Sequence, residues 1–423
     1  MELQDLISAV KNKKVFLYTE PEIPDFTRKD KFNLVVVGPE SIFKIPCGEN
    51  TISEACALME ETVFKKDMVN VCWNVKNLFS NTLKYGKKLH PESKIFDLKI
   101  IESYLGKEDK CPLSYDEAMS RIKKTLQYKW SDIYTKLHLP LISEVIPCIE
   151  TTGVISKLGR KKLYPYYEIE GQKNGRFKCS NVFTNGFNPH GIGPNQREDF
   201  MPCGDNKQIV YLDFKFMEVA VLQWLSKDKK LEEILNTNND FYKELFKILT
   251  GKNCESEAHR KFCKQIFLPV IFGLSAKTIS EKFKKSDNFS KHIIDTLEQN
   301  FPTAFSYVKK YQHNDELSDC LGRIRKFEGN STTLRRNFVV QSPASTVCCE
   351  KLIKLKKVLK NEAQIGFHVH DGYYLYVDKK NCNYIINLAK QTLESTSELL
   401  DGLKLKVLCK IGPTLNELKE IAC

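Results

Sequence analysis

No apolar run in this sequence of 423 residues approaches membrane-spanning length. Its opening stretch, MELQDLISAVKNKK, carries no apolar signal core. These two gaps predict a protein that is not secreted and has no membrane partner. The 15 cysteines include no Cys-x-x-Cys pair, and no paired histidine motif stands at zinc spacing. A structural zinc centre and a redox dithiol are thereby disfavoured. Cys348 and Cys349 are adjacent, which is poor geometry for a shared bridge. The cysteines are therefore expected to be reduced thiols of an intracellular, reducing compartment. Internal repeats and long low-complexity tracts are missing as well, and the frequent Lys and Asn residues are a compositional bias only.

What is there is a chain with 42% hydrophobic residues, enough for two or three domains with real cores. Basic residues outnumber acidic ones 65 to 53, for a net charge of +12. That balance favours a polyanionic partner, although a lysine-rich surface is often merely solvated. KVFLYTE, FNLVVVGPE and SIFKIP, between residues 14 and 45, read as strands. Helices are expected over 52–61 and 93–105, so the first 110 residues or so are α/β. The connector YDEAMSRIKKTLQYKWSDIYTKLHLPLISEVIPCIETTGV is mostly helical in pattern. SKLGRKKLYPYYEIEGQKNGRFKCS reads as strands and turns. A strand then passes into a helix at Asp213, residues 228–310 are largely helical, and strand returns around 365–377.

Two acids and one helix carry the chemical signal. Asp213 closes the apolar run IVYL, so its carboxylate projects from a strand end. Asp371 sits in FHVHDGYYLYV, where Asp-Gly between alternating apolar residues marks a tight hairpin. Two carboxylates converging on one side of a sheet meet the requirement of two-metal phosphoryl transfer. Mg2+ suits such a site, because it accepts few protein oxygens and takes the rest from phosphates and water. In HRKFCKQIFLPVIFG, Arg260, Lys264, Leu268 and Phe272 recur every fourth residue and so share one helical face. Two cations, an aliphatic group and an aromatic ring in that order suit a triphosphate at one end and a flat base at the other. Each feature also has a structural reading: a helix cap at Asp213, a plain turn at Asp371, an amphipathic helix with snorkelling cations. The combination, in this order, separates the two.

In that order the motifs resemble those of family A DNA polymerases, the bacterial DNA polymerase I group. LDFKFMEVAVLQWLSKDKKL is similar to the first polymerase motif, RKFCKQIFLPVIFG to the second and VHDG to the third. RRNFVVQSPAST, NGRFKCS and LHLPLISEVIPCIETTGV resemble further family segments, and the likeness runs over roughly 135–410. The resemblance implies an α+β right-hand polymerase domain of palm and fingers. It implies that Asp213, Asp371 and the Phe214 carbonyl hold two Mg2+ ions, for which Mn2+ can substitute. Arg260 and Lys264 would bind the triphosphate of a dNTP, with Lys264 protonating the departing pyrophosphate. Tyr242 would stand in for a phosphate-binding His, Glu218 would exclude a ribose 2′-OH, and Leu268 and Phe272 would meet the base. Arg176, Arg335, Arg336, Asn337, Gln341 and His370 would contact primer–template DNA.

Departures from the pattern matter as much. Leu268 replaces an aromatic residue, Phe272 replaces Tyr, Pro269 stands where Gly is usual, and Gly372 follows Asp371 where an acid is common. The first part of the chain resembles the family's α/β, RNase H-like 3′–5′ exonuclease domain. Tyr18 and Leu78 occupy positions of its metal-binding acids, and only Glu20 is kept. Proofreading is therefore expected to be absent. From Gly153 to Arg176 there is too little chain for the family's helical thumb. The implied organisation is an exonuclease-like domain over 1–115, a helical connector over 116–160, and a polymerase palm and fingers over 161–423 with the thumb reduced or absent. Weak grip on duplex predicts low processivity unless a protein processivity or replisome partner assists. Two other readings remain: a catalytically inactive scaffold subunit, and a single-subunit RNA polymerase, against which Glu218 speaks.

Overall fold

The structure, a computed structural model, describes residues 14–421 apart from 24, 26–30, 40–41, 108–109, 129, 158–159 and 238. The chain divides into two compact units. The first holds the described residues of Met1–Asp213, Cys349–Leu393 and Val407–Cys423; the second holds those of Phe214–Cys348 and Glu394–Lys406.

The first unit opens with a five-stranded sheet of β1 (Lys14–Glu20), β2 (Phe32–Val37), β3 (Ile42–Cys47), β4 (Val69–Cys72) and β5 (Lys94–Asp97), in the order β3-β2-β1-β4-β5. The first three strands form an antiparallel meander, and β4 and β5 run parallel to β1. Burial strictly alternates along β3 and is nearly continuous along β2, as expected of an edge strand and an interior one. Three helices accompany the sheet: α1 (Ile52–Glu61), α2 (Lys76–Lys84) and α3 (Leu98–Tyr104). The helix expected over 93–105 thus begins as a strand. Residues 94–97 pair with β4, and Asp97 then accepts from the Lys99 backbone N–H as the cap of α3. The same buried carboxylate accepts from the N–H groups of Asn74 and Val75, and burial raises its pKa to about 6.

The connector is helical, as its periodicity suggests. α4 (Tyr115–Thr125) starts on Ser114, whose side chain accepts from the Glu117 N–H. A second helical run from Ser131 to Thr152 contains π-helical stretches at Tyr134–His138 and Leu141–Val145 and ends as α5 (Ile146–Thr152). Pro140 lies between the two wide stretches, where a missing N–H interrupts the ordinary ladder. Gly153, at φ 68°, ends the helix.

Short strands follow: β6 (Val154–Ser156), β7 (Lys161–Pro165), β8 (Tyr167–Glu168), β9 (Lys178–Cys179), β10 (Gly186–Phe187) and β11 (Phe200–Met201). Among the described residues between Gly153 and Arg176 there is no α-helix. β12 (Lys207–Lys215) then enters a second five-stranded sheet, in the order β15-β16-β12-β17-β18. Its other members are β15 (Ala363–Val369), β16 (Gly372–Asp378), β17 (Lys406–Gly412) and β18 (Lys419–Ile421). Val154, Phe187, Ile209, Phe367, Tyr376 and Leu415 form the core beneath it.

The second unit is largely helical, as residues 228–310 suggest. It contains α6 (Met217–Ser226), α7 (Lys229–Asn236), α8 (Phe241–Thr250), α9 (Glu257–Ile271), α10 (Ala276–Phe283), α11 (Asp287–Asn300) and α12 (Pro302–Lys309). A hairpin of β13 (Glu316–Ser318) and β14 (Ile324–Lys326) leads to α13 (Thr332–Leu359). Buried Arg323 donates to Ser342 and Thr346 of α13 and pairs with Asp319, which fixes that hairpin. Asp228 joins two helix starts: one oxygen caps α7, and the other accepts from Thr303 and the Ala304 N–H of α12.

Candidate active site

Strand register brings the two acids singled out above close along the strand pairing. β12 and β16 are antiparallel, and Asp213 lies directly opposite Gly372, the residue after Asp371. Asp213 is inside the strand, and the residue before α6 is Phe216, in the left-handed region at φ 56°. A helix-cap role for Asp213 is thereby excluded. The turn also differs from expectation by one residue. Val369 pairs with Gly372, so His370 and Asp371 form the tip, and His370 adopts the positive φ of 52°. Gly372 is a strand residue.

Around this tip stand Arg176, His190 and His370. An Arg176 Nη lies 3.8 Å from an Asp371 carboxylate oxygen. A cation beside this carboxylate marks a position where positive charge is favoured. The His190 and His370 rings are 5.0 Å apart. Burial depresses the His190 pKa to about 4, helped by the charge of His370. His368, one residue before Val369 on β15, is buried and depressed to about 3. Its backbone C=O and N–H are both held by the Tyr167 hydroxyl, at 2.8 and 3.0 Å. Tyr211 shares a strand face with Asp213, and burial, with the Asp213 carboxylate adding to it, raises the pKa of its hydroxyl. Among the described residues no three His, Cys, Asp or Glu side chains form a metal-holding group. The two carboxylates, with backbone oxygen, would offer an ion an all-oxygen set. That all-oxygen set fits Mg2+.

In the second unit, Arg260, Lys264 and Leu268 recur every fourth residue along α9, and Phe272 is the residue that caps its C-terminal end. Arg260 is held 3.0 Å from Asp240 and 3.3 Å from Glu257, and its guanidinium lies 5.7 Å from the Tyr242 ring centre. Asp240 also caps α8, accepting from the N–H groups of Tyr242 and Lys243. Lys264 is exposed and Leu268 half-buried. Phe272, by contrast, is only 4% exposed, so it meets a nucleotide only by leaving the packing seen here. Pro269 is accommodated in the last turn, where Leu274 N–H bonds to its carbonyl. Gln341 donates to Glu218 at 3.0 Å, which joins two residues expected to act separately. Tyr242 is buried, and burial together with the Glu218 carboxylate pushes its pKa up to about 12. Asn337 lies one turn before Gln341 on α13 and is half-buried.

One expected DNA contact gives way. Arg335 is buried, and its donors go to the carbonyls of Asn314, Ser331 and Gly329 and to the Asp315 carboxylate. A guanidinium spent on four oxygens braces a loop. Its neighbour Arg336 is half-buried, donating to the Ile271 carbonyl and to Gln312, and burial lowers its pKa. Sequence reasoning missed Asp240 and Tyr211. An Asp before an amphipathic run, with Glu244 in the first turn, signals a cap; a Tyr two residues before Asp213 on a strand must share its face.

The model of DNA polymerase family A matches residues 151–417. The chain belongs to that family. The match takes in Asp213, Glu218, Arg260, Lys264 and Asp371 together. Among curated relatives, DNA polymerase theta of Drosophila melanogaster is 21% identical over 253 residues, 53% of this chain and 12% of the relative. DNA polymerase I of Helicobacter pylori is 24% identical over 200 residues, 44% of this chain and 22% of the relative. The thermostable DNA polymerase I of Thermus aquaticus is 22% identical over 216 residues, 47% of this chain and 26% of the relative. The aligned parts thus cover about a quarter or less of these relatives' lengths. Among solved structures, the POL domain of Pol1 from M. smegmatis, in complex with DNA primer-template and dNTP, superposes with a TM-score of 0.76 at 13% identity. It covers 98% of this chain and 99% of that one, so the shared fold extends beyond the residues of the family match.

Proposed function

We propose that this chain is a template-directed DNA polymerase that adds dNTPs to a primer 3′-OH by two-metal phosphoryl transfer. The observation that carries the reading is the β12–β16 register, which puts Asp213 across from the residue after Asp371 in a family A chain. Asp213, Asp371 and the Phe214 carbonyl hold two divalent ions. When bound, such ions make the primer hydroxyl a better nucleophile and neutralise charge on the phosphates. Arg260 grips the triphosphate in exchange for part of its pairing with Asp240. Lys264, exposed on α9, gives a proton to the departing pyrophosphate. Tyr242 lies beside the phosphates, Leu268 and Phe272 beside the base. Glu218, steadied by Gln341, crowds the sugar 2′ position. Arg176, Arg336, Asn337, Gln341 and His370 face primer–template.

The proposed organisation is an exonuclease-like domain over 1–115, a connector over 116–160 and palm and fingers over 161–423. Loss of proofreading is supported by Tyr18 and by Leu78, which is fully buried in α2. Low processivity, relieved only by a protein partner, is supported by the short strands between Gly153 and Arg176.

The activity is tested by comparing dNTPs with NTPs on a primed template. Wild type should extend with dNTPs, and Glu218→Ala should raise NTP use relative to dNTP use by roughly tenfold or more. Equal use of both by wild type would point to RNA synthesis, and tight DNA binding without incorporation would point to a scaffold.

A further inference from the structure

Side chains alternate along a strand, so Tyr211 and Asp213 share one face of β12, opposite Tyr374 and Gly372 on β16. The Tyr211 ring stacks on Tyr374 with centroids 4.4 Å apart, and Tyr374 stacks on Phe367 of β15 at 4.2 Å. Three rings thus cross three strands beside the acidic tip. The Tyr211 hydroxyl, at the end of this row, lies over Gly372, the residue paired with Asp213 across the two strands.

Gly372 explains how the ring comes to lie there. Its φ is not in the left-handed region, so the backbone does not demand glycine. Space does. A Cβ at position 372 would stand 2.6 Å from Tyr211 Cε2, 2.8 Å from its hydroxyl and 3.0 Å from Cζ. The side chain missing after Asp371 and the tyrosine before Asp213 are therefore one fitted pair. Where Asp213 and Asp371 act as a pair, the direction of each carboxylate matters. A donor fixed on one oxygen selects which lone pairs remain for a cation, as hydrogen-bond partners behind metal ligands generally do.

We infer that Tyr211 is a positioning residue for the carboxylate pair: its ring fills the space that Gly372 leaves, and its hydroxyl orients Asp213 toward the divalent ions. This rests on the reading of Asp213 and Asp371 as metal ligands. The test is an EPR titration of Mn2+ onto the full chain, with folding checked by circular dichroism, for wild type, Tyr211→Phe and Asp213→Asn. Tyr211→Phe keeps the stacked ring and should weaken Mn2+ binding roughly tenfold, while Asp213→Asn should weaken it more. Unchanged affinity in Tyr211→Phe with loss in Asp213→Asn would overturn the positioning role alone. Unchanged affinity in Asp213→Asn would overturn the ligand reading and the inference with it. As a second arm, Gly372→Ala should lower the thermal midpoint in wild type and do so far less in a Tyr211→Ala background. Equal decreases in both backgrounds would contradict the fitted pair.

Discussion

His368 is a residue whose surroundings decide its charge. Burial is the main cause of its depressed pKa of about 3, and His190, His370 and Arg176 add repulsion. His190, at about 4, is depressed for the same reason. Both fall below the ordinary histidine value, so between about pH 6.5 and 4 the unfolded chain binds protons that the native chain does not. Stability conferred by these two groups is therefore full above about pH 6.5 and is lost as pH falls through that window. Asp97 works the other way: its carboxyl, raised to about 6, contributes stability below its unfolded value that is lost as pH rises. Two histidines outweigh one acid, so the net slope is loss on acidification. Urea midpoints measured from pH 7.5 to 4.5 should fall, and His190→Gln should flatten the fall; a level profile would contradict the assignment. At this scale Asp213, Asp371 and the α9 stripe are legible in the sequence, because strand ends, turns and helical spacing are local patterns. The use of Arg335 is not legible, since the oxygens that occupy it come from residues 314–331 folded back on it.

Among the elements, α2, α5 and β8 are joined by one buried acid. Glu150 of α5 accepts from Lys76 Nζ at 2.6 Å and from Ser80, both on α2, and from the Tyr167 N–H of β8 at 2.8 Å. Tyr167 in turn holds the backbone of His368, three residues before Asp371. A buried chain of polar contacts thus runs from the N-terminal sheet's helix to the acidic tip. Removing one partner of a buried pair leaves the other charge unpaired, which costs about 3–5 kcal/mol. Glu150→Ala should lower unfolding free energy by about that amount in denaturant titrations, whereas Lys76→Met, which keeps bulk, should cost less. A change under about 1 kcal/mol for Glu150→Ala would mean that water replaces the carboxylate. The helices of the connector are legible because their periodicity is strong. β5 is not, because four residues ahead of a helix carry no period of their own and only pairing with β4 makes them a strand. The hairpin tip is misplaced by one residue from sequence because Asp-Gly is the usual turn signal. Here Gly372 is needed for Tyr211 instead.

For the whole molecule, a net charge of +12 and the short strands between Gly153 and Arg176 pull in opposite directions. Positive charge raises encounter with DNA, whereas a lasting grip depends on the number of phosphate contacts. The chain alone should therefore bind quickly and release often. Extension from a preformed complex with excess trap DNA should yield products of a few nucleotides, and long products would contradict the proposed low processivity. The family and its mixed α/β fold are legible in the sequence because several weak motifs occur in one order. The two-unit division is not, since each unit is assembled from separate stretches of chain.

The central claim is that Asp213 and Asp371 carry nucleotide transfer. It is tested most directly by rapid-quench incorporation of a single complementary dNTP into a primed template, with Mg2+, by wild type and by Asp371→Ala. The account predicts incorporation by wild type and a rate at least about a thousandfold lower in the variant, with primer–template affinity retained. Incorporation that survives in Asp371→Ala, or wild type that binds DNA and adds nothing with Mg2+ or Mn2+, would contradict it.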